Sequence, residues 1–227
     1  MPLEYLTRIA QTPAPTFDEA RRADLITSLW EGLGYPCQRD EVGNVMTRIE
    51  PGGAAGQPAL AVMAHLDTVH SSVGADDNAS GVATMLELAA RLKAQPPEHS
   101  VLIVALDGEE RGLLGAREFV KAPPVPLSSL SLNLNFDMTA RAETDNHLWV
   151  TGTYQHPNLR PVLEAVVPNG AVSFAFGKDT PQDTGDDNWV DSSDHAAFHE
   201  AGVPFLYFGV DYHPDYHRPT DDFERIK

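Results

Sequence analysis

Three short runs of this chain are apolar from end to end: Ala59–Ala64, Val101–Leu106 and Val203–Val210. A strand with apolar side chains on both of its faces must be covered on both faces. That requirement suits a mostly parallel sheet sandwiched between helices and disfavours an open antiparallel sheet with one wet side. The segments between the runs agree. Ser80–Ala94 reads as a helix with its apolar face at Val82, Met85, Leu86 and Ala89, and Leu113–Lys121, Leu159–Val167 and His195–Ala201 read as further helices. Leu130–Phe136 and Leu148–Thr151 read as additional strands, and the last apolar run places a strand at Pro204–Phe208. The expected fold class is α/β: one domain over residues 1–227, with a mostly parallel twisted central sheet flanked by helices on both faces.

The first 58 residues prepare that sheet. Leu3, Leu6, Ile9 and Ala10 share a helical face, which Thr12-Pro13-Ala14-Pro15 ends. Thr16-Phe17-Asp18-Glu19 has the form of a capping box, opening a helix that runs to about Leu33. Residues 37–50 predict a β-hairpin turning at Gly43-Asn44, and residues 51–58 a flexible connection. Lys and Arg total 16 against 33 Asp and Glu, a net charge of −17, which repels phosphate backbones and anionic membranes. Nucleic-acid and membrane partners are therefore not expected. The single cysteine, Cys37, excludes a disulfide framework and a cysteine-built zinc site. No run reaches the roughly 20 residues of a membrane span, and the opening residues lack the form of a signal peptide. A cytoplasmic location is the default expectation.

In such sheets ligands gather beyond the carboxyl ends of strands, and there the chain is rich in metal-ligand types. The first strand runs into His65-Leu66-Asp67, where the Asp can hold one imidazole nitrogen and leave the other for a cation. Gly74-Ala75-Asp76-Asp77-Asn78-Ala79-Ser80-Gly81 precedes a helix; one helix cap needs one such polar residue, and here there are four. The second strand ends in Asp107-Gly108-Glu109-Glu110, where one glutamate can ligate while the other takes a proton from the attacking water. Asn135-Phe136-Asp137 closes the third strand, and Tyr216-His217 lies near the C-terminus. His65, Asp76, Glu110, Asp137 and His217 together form a nitrogen-and-oxygen set suited to two divalent ions, zinc most readily, with cobalt or manganese also suited.

Taken in order, His65-Leu66-Asp67-Thr68-Val69, the Gly74–Gly81 loop, Asp107–Glu110, Asn135–Met138, Ser193-Asp194-His195 and Tyr216–Asp221 resemble the M28 family of co-catalytic zinc aminopeptidases. The resemblance runs from about residue 59 to 227. It implies that Asp76 bridges the two metals, that His65 and Asp137 complete one site, and that Glu110 and His217 complete the other. It further implies Glu109 as general base, Tyr216 as a donor to the oxyanion, Asp67 and Asp77 as supporting residues outside the ligand set, Asp194 in a support or substrate role, and a cis peptide at Asp76–Asp77. The implied activity is metal-dependent removal of N-terminal residues from peptides.

Glutaminyl cyclases share the fold and the Asp-Gly-Glu-Glu motif but perform acyl transfer with one zinc; Tyr216, where they usually carry Trp, and the lone cysteine argue against them. The same motifs are compatible with a carboxypeptidase or dipeptidase of the family and with a non-catalytic binding domain. The 79 residues between Asp137 and His217 are too few for the inserted domain of M20 hydrolases. Relatives usually continue into a further helix after the last ligand, so either the sequence is trimmed at Lys227 or the domain lacks one covering layer. Asp179, Asp183, Asp186 and Asp187 read as an acidic surface loop rather than a calcium site. The surrounding segment 177–193 is expected to form a wall of the substrate cleft. Phe174, Phe176, Trp189, Phe198 and Tyr212 are candidates either for an apolar pocket or for core packing.

Overall fold

The computed structural model describes residues 2–51, 59–142, 147–166 and 173–226. The expected linker therefore lies almost wholly outside the described residues, as does Lys227. Eight strands form one mixed sheet: β1 (Cys37–Arg39), β2 (Val45–Ile49), β3 (Ala59–His65), β4 (Val101–Leu106), β5 (Leu130–Phe136), β6 (His147–Thr151), β7 (Ser173–Phe176) and β8 (Phe205–Gly209), in the order β1-β2-β4-β3-β5-β8-β6-β7. The centre is parallel, through β4–β3, β3–β5 and β5–β8, while the β1–β2 hairpin adds to β4 antiparallel and β6 adds to β8 antiparallel. β7, which pairs parallel with β6, is not among the strands that the sequence pattern predicts.

β4 explains why its whole run is apolar. Val101, Ile103 and Ala105 face a core shared with α1 (Pro2–Ala10), α2 (Ala20–Gly32) and α3 (Gly81–Ala94). Leu102, Val104 and Leu106 face a second core built with α4 (Leu114–Lys121) and α6 (His195–Glu200). Alternate side chains leave opposite faces of a strand, so each side of this one strand buries a separate layer. α5 (Arg160–Glu164) is shorter than expected. On α1, Leu6, Ile9 and Ala10 are buried as the periodicity requires, but Leu3 is exposed.

The expected capping box does not form: α2 begins at Ala20, with Glu19 rather than Thr16 at its N-cap. The Glu19 carboxylate accepts from the Phe17 N–H, but the Thr16 hydroxyl does not turn back to its own helix; it donates to Asp67 Oδ2 at 2.7 Å. The neighbouring backbone pairs with the chain after β3, Thr16 N–H to Thr68 O and Thr68 N–H to Ala14 O. The N-terminal segment is thereby fastened to the carboxyl end of the central strand.

Candidate metal centre

The carboxyl ends of β3, β4 and β5 bring their polar residues to one place. His65, the last residue of β3, is buried. Its Nδ1–H faces Asp67, 3.1 Å from the carbonyl and 3.4 Å from Oδ1, which turns Nε2 into the cluster. Asp67 also accepts the backbone N–H groups of Glu109 and Glu110, at 3.0 and 3.3 Å, and so fixes the turn after β4 as well as the imidazole. Asp137, just beyond β5, has Oδ2 held by the Ser193 hydroxyl at 2.7 Å, and that hydroxyl accepts from Asn135 Nδ2.

The loop before α3 requires a correction. Asp76, the expected bridge, does not point into the cluster. Its Oδ1 accepts from Ala140 N–H at 2.8 Å, and its Oδ2 lies 3.2 Å from His213 Nε2 on the far side of the turn. Asp77, expected to be a supporting residue, occupies the central position: Oδ1 is 3.1 Å from His65 Nε2 and Oδ2 is 3.1 Å from His217 Nε2. The cis peptide likewise lies one residue later than expected, at Asp77–Asn78. The backbone dictates the choice. Residues 75–80 form a wide helical turn broken by non-helical dihedrals at Asp77 and Asn78, and Asp221, to which the sequence pattern gives no role, accepts the N–H groups of both Asp76 and Asp77. Gly74 is required at the mouth of this turn, because its φ is +65° and a Cβ there would meet the Asp77 carbonyl oxygen at 2.2 Å.

Ligand atoms of His65, Asp77 and Asp137 lie within 4.8 Å of one another, as do those of Asp77, Glu110 and His217, and those of His65, Glu109 and Glu110. One carboxylate therefore joins two half-sites, each with an imidazole and a further carboxylate. Glu110 contributes Oε2, 3.1 Å from His217 Nε2, while its buried Oε1 has no hydrogen-bond partner. An orphaned buried carboxylate oxygen beside two imidazoles and three more carboxylates fits a site for cations.

With protein groups alone, the imidazoles carry the compensating charge. Burial would lower the His65 pKa, but Asp137 and Glu109 outweigh it and raise it well above the ordinary value. His217 is pushed up to about 10, burial again being outweighed by its bonds to Asp77 and Glu110. Burial works against the charge of Asp77, yet the two histidines hold its carboxyl far below the usual range. Glu109 is raised well above the ordinary value by burial, which His65 offsets only in part and Asp194, Asp137 and Glu110 reinforce. The Tyr216 phenol is raised by burial and then by Asp77, so it remains a neutral O–H donor.

A narrow cleft opens over this cluster, lined by Asp77, Glu109, Asp137 and His217 together with Met138, Trp189, Ser192, Tyr207, Val210, Tyr212 and Tyr216. Of the candidate pocket residues, Trp189 and Tyr212 line it, whereas Phe198 lies in the core beneath α4 and α6, and Phe174 and Phe176 pack around β6 and β8. Asp194 immediately precedes α6 but its side chain does not cap the helix. It is wholly buried, with neither carboxylate oxygen hydrogen-bonded among the described residues, and does not line the cleft, so a direct substrate contact is not where the fold puts it. Burial, only partly opposed by His65, raises its pKa to about 8. The acidic loop forms no cation cage: Asp179 Oδ2 accepts from Gly152 and Tyr154 N–H, Asp183 caps Thr180, and Asp187 pairs with Lys178. Among the described residues no helix is long and apolar enough to cross a membrane.

Residues 44–227 match the sequence profile of Peptidase family M28. Aminopeptidase YwaD of Bacillus subtilis is 33% identical over 178 residues, covering 73% of this chain and 36% of its own length. BSAP, a zinc aminopeptidase from Bacillus subtilis, superposes with a TM-score of 0.65 at 29% identity over 81% of this chain and 45% of its own. A glutaminyl cyclase from Bacteroides thetaiotaomicron superposes with a TM-score of 0.76 at 18% identity over all of this chain and 90% of its own, a likeness of fold. The chain thus spans little more than a third of the YwaD sequence.

Proposed function

From the premise that the chain belongs to Peptidase family M28, we propose that it removes N-terminal residues from peptides by hydrolysis at a two-cation centre. His65 and Asp137 would hold one ion, Glu110 and His217 the other, and Asp77 would be shared between them. The observation that carries the reading is the pair of 3.1 Å approaches on opposite oxygens of Asp77, one from each histidine, beside a cleft that exposes Glu109. Divalent ions, zinc in the first instance, would supply Lewis-acid polarisation of the scissile carbonyl and a water acidified toward neutrality. A zinc aminopeptidase among the similar structures supports that choice of ion.

The protein's own groups divide the remaining work. Glu109, in the cleft and flanked by carboxylates that favour its taking up a proton, accepts the proton of the attacking water and returns it to the leaving amine. Tyr216, a neutral donor stacked on His217 with ring centroids 3.8 Å apart, offers its O–H to the oxygen on which negative charge develops. Glu109 and Asp137 also face the free α-ammonium of the substrate, while the buried Asp194 acts on it only through the local field.

The test is hydrolysis of aminoacyl anilides with free and N-acetylated amines by zinc-loaded protein. Cleavage confined to the free amines supports the proposal. Equal cleavage of blocked substrates would leave a hydrolase with no N-terminal requirement. Ammonia release from N-terminal glutamine without peptide cleavage would move the chain to the cyclase reaction.

A further inference from the structure

Lys178 follows β7 in the left-handed backbone region, with φ +65°, and is 8% exposed. Its ammonium donates to Asp187 Oδ1 at 2.7 Å and to Asp211 Oδ2 at 3.2 Å. It also lies 5.1 Å from the centre of the Trp149 ring and 5.0 Å from that of Trp189, within the range of cation–π attraction. Its carbonyl accepts from the Trp189 N–H at 2.7 Å. One amine therefore joins three separate stretches of chain: the end of β7, the turn carrying Asp187 and Trp189, and the segment after β8 carrying Asp211.

Two of those stretches, the turn and the segment after β8, lead to the cleft. Trp189 lines it directly and packs edge-on against Tyr207 at 5.6 Å and Tyr212 at 6.5 Å. Tyr212 follows Asp211, whose Oδ1 accepts the Tyr212 N–H, and it packs on Tyr216 at 4.8 Å. The aromatic lining of the cleft is thus assembled around a cation whose hydrogen-bond partners include none of the candidate metal ligands.

We propose that Lys178 is a positioning residue for substrate selection: it clamps Trp189 and Tyr212 into the wall that receives the side chain of the residue being removed, so that apolar N-terminal side chains bind better than small ones. This rests on the aminopeptidase reading, but the clamp itself can be observed without turnover. Asp187 is 73% and Asp211 35% exposed at the side chain, so removing the ammonium leaves both carboxylates within reach of water.

The experiment compares wild type, Lys178→Met, Lys178→Arg and Asp211→Asn, all zinc-loaded. The chain has three tryptophans, and Trp30 is fully buried in the other core, so changes in indole emission report on Trp149 and Trp189. Lys178→Met should red-shift the emission and increase acrylamide quenching, and Lys178→Arg, which can stack and pair in the same place, should restore both. Unchanged emission in Lys178→Met would overturn the clamp whether or not the protein cleaves peptides. With substrates, Lys178→Met should raise KM for leucyl anilide on the order of tenfold, leave its kcat and the alanyl parameters close to wild type, and leave the zinc content unchanged. A wall contact made equally in the ground and transition states affects KM alone. Asp211→Asn should shift the leucyl KM in the same sense and decides the matter if Lys178→Met does not fold. Equal losses for leucyl and alanyl substrates would overturn the selective role. Failure of the wild type to cleave either substrate would refute the aminopeptidase reading and with it the selective role, while the emission shift would still decide the clamp.

Discussion

Acidification should destabilise this fold through one buried imidazole. His195 opens α6 with its ring wholly buried, stacked 4.7 Å from both Phe205 and Tyr207. Its Nε2–H donates to the Trp189 carbonyl at 2.8 Å, and Nδ1 faces the Asn135 side-chain amide at 3.4 Å, which fixes the neutral tautomer. Burial depresses its pKa from 6.5 to about 4, against the bond to Trp189. Below pH 6.5 the unfolded chain therefore takes up a proton that the folded chain refuses until about pH 4. Bound protons are then more numerous in the unfolded state, so stability falls as pH falls across this window. A gap of about 2.5 units at 1.36 kcal/mol each amounts to about 3 kcal/mol. The perturbation is His195→Gln, which retains an N–H donor but cannot titrate. Urea unfolding in EDTA, followed by circular dichroism between pH 7 and 4, gives the two profiles, and other titrating groups cancel in their difference. Wild type should lose about 3 kcal/mol more than the variant over this range, on the order of 1 M or more in urea midpoint. Parallel profiles would refute the reasoning.

Glu109→Gln should keep the metal content and the melting temperature while kcat falls by about 10²–10⁴; Glu110→Gln should instead weaken zinc binding, as competition with a chromophoric chelator will show. Thr16→Val should weaken zinc binding about tenfold, because Asp67 loses the 2.7 Å bond that steadies it behind His65, and Thr16→Ser should restore it; an unchanged affinity would confine Thr16 to the fold.

The strands are legible in the sequence where both faces are apolar or where apolar and polar residues alternate. Val101–Leu106, buried at every position, coincides with β4, and Leu130–Phe136 coincides with β5 through its alternation of apolar residues with Ser131, Asn133 and Asn135. β7 escapes the pattern because Ser173–Phe176 is only four residues long and sits at the edge of the sheet, paired with β6. Spacing also delivers His65, Glu109, Glu110, Asp137 and His217 to one place, since each sits just beyond a strand or turn whose end the sequence marks. It does not choose between Asp76 and Asp77. Adjacent identical residues carry no periodic signal, and the choice depends on Asp221, whose carboxylate arrives from 144 residues away to hold the Asp77 N–H. Thr16 departs from expectation for a similar reason: a capping box is a local rule, and its hydroxyl has a stronger partner 51 residues on. Segment 177–193 supplies Trp189 and Ser192 to the cleft, as expected of a wall, but its acidity gives no sign of the buried Lys178 ammonium that pairs with Asp187 and Asp211.

Zinc content per chain tests the shared role of Asp77 most directly. Protein stripped with chelator, equilibrated with excess zinc at neutral pH and desalted should carry two equivalents by elemental analysis. Asp77→Ala should carry at most one, because both half-sites lose a ligand, and Asp76→Asn should still carry two. One equivalent in saturated wild type, or two retained in Asp77→Ala, would contradict the account.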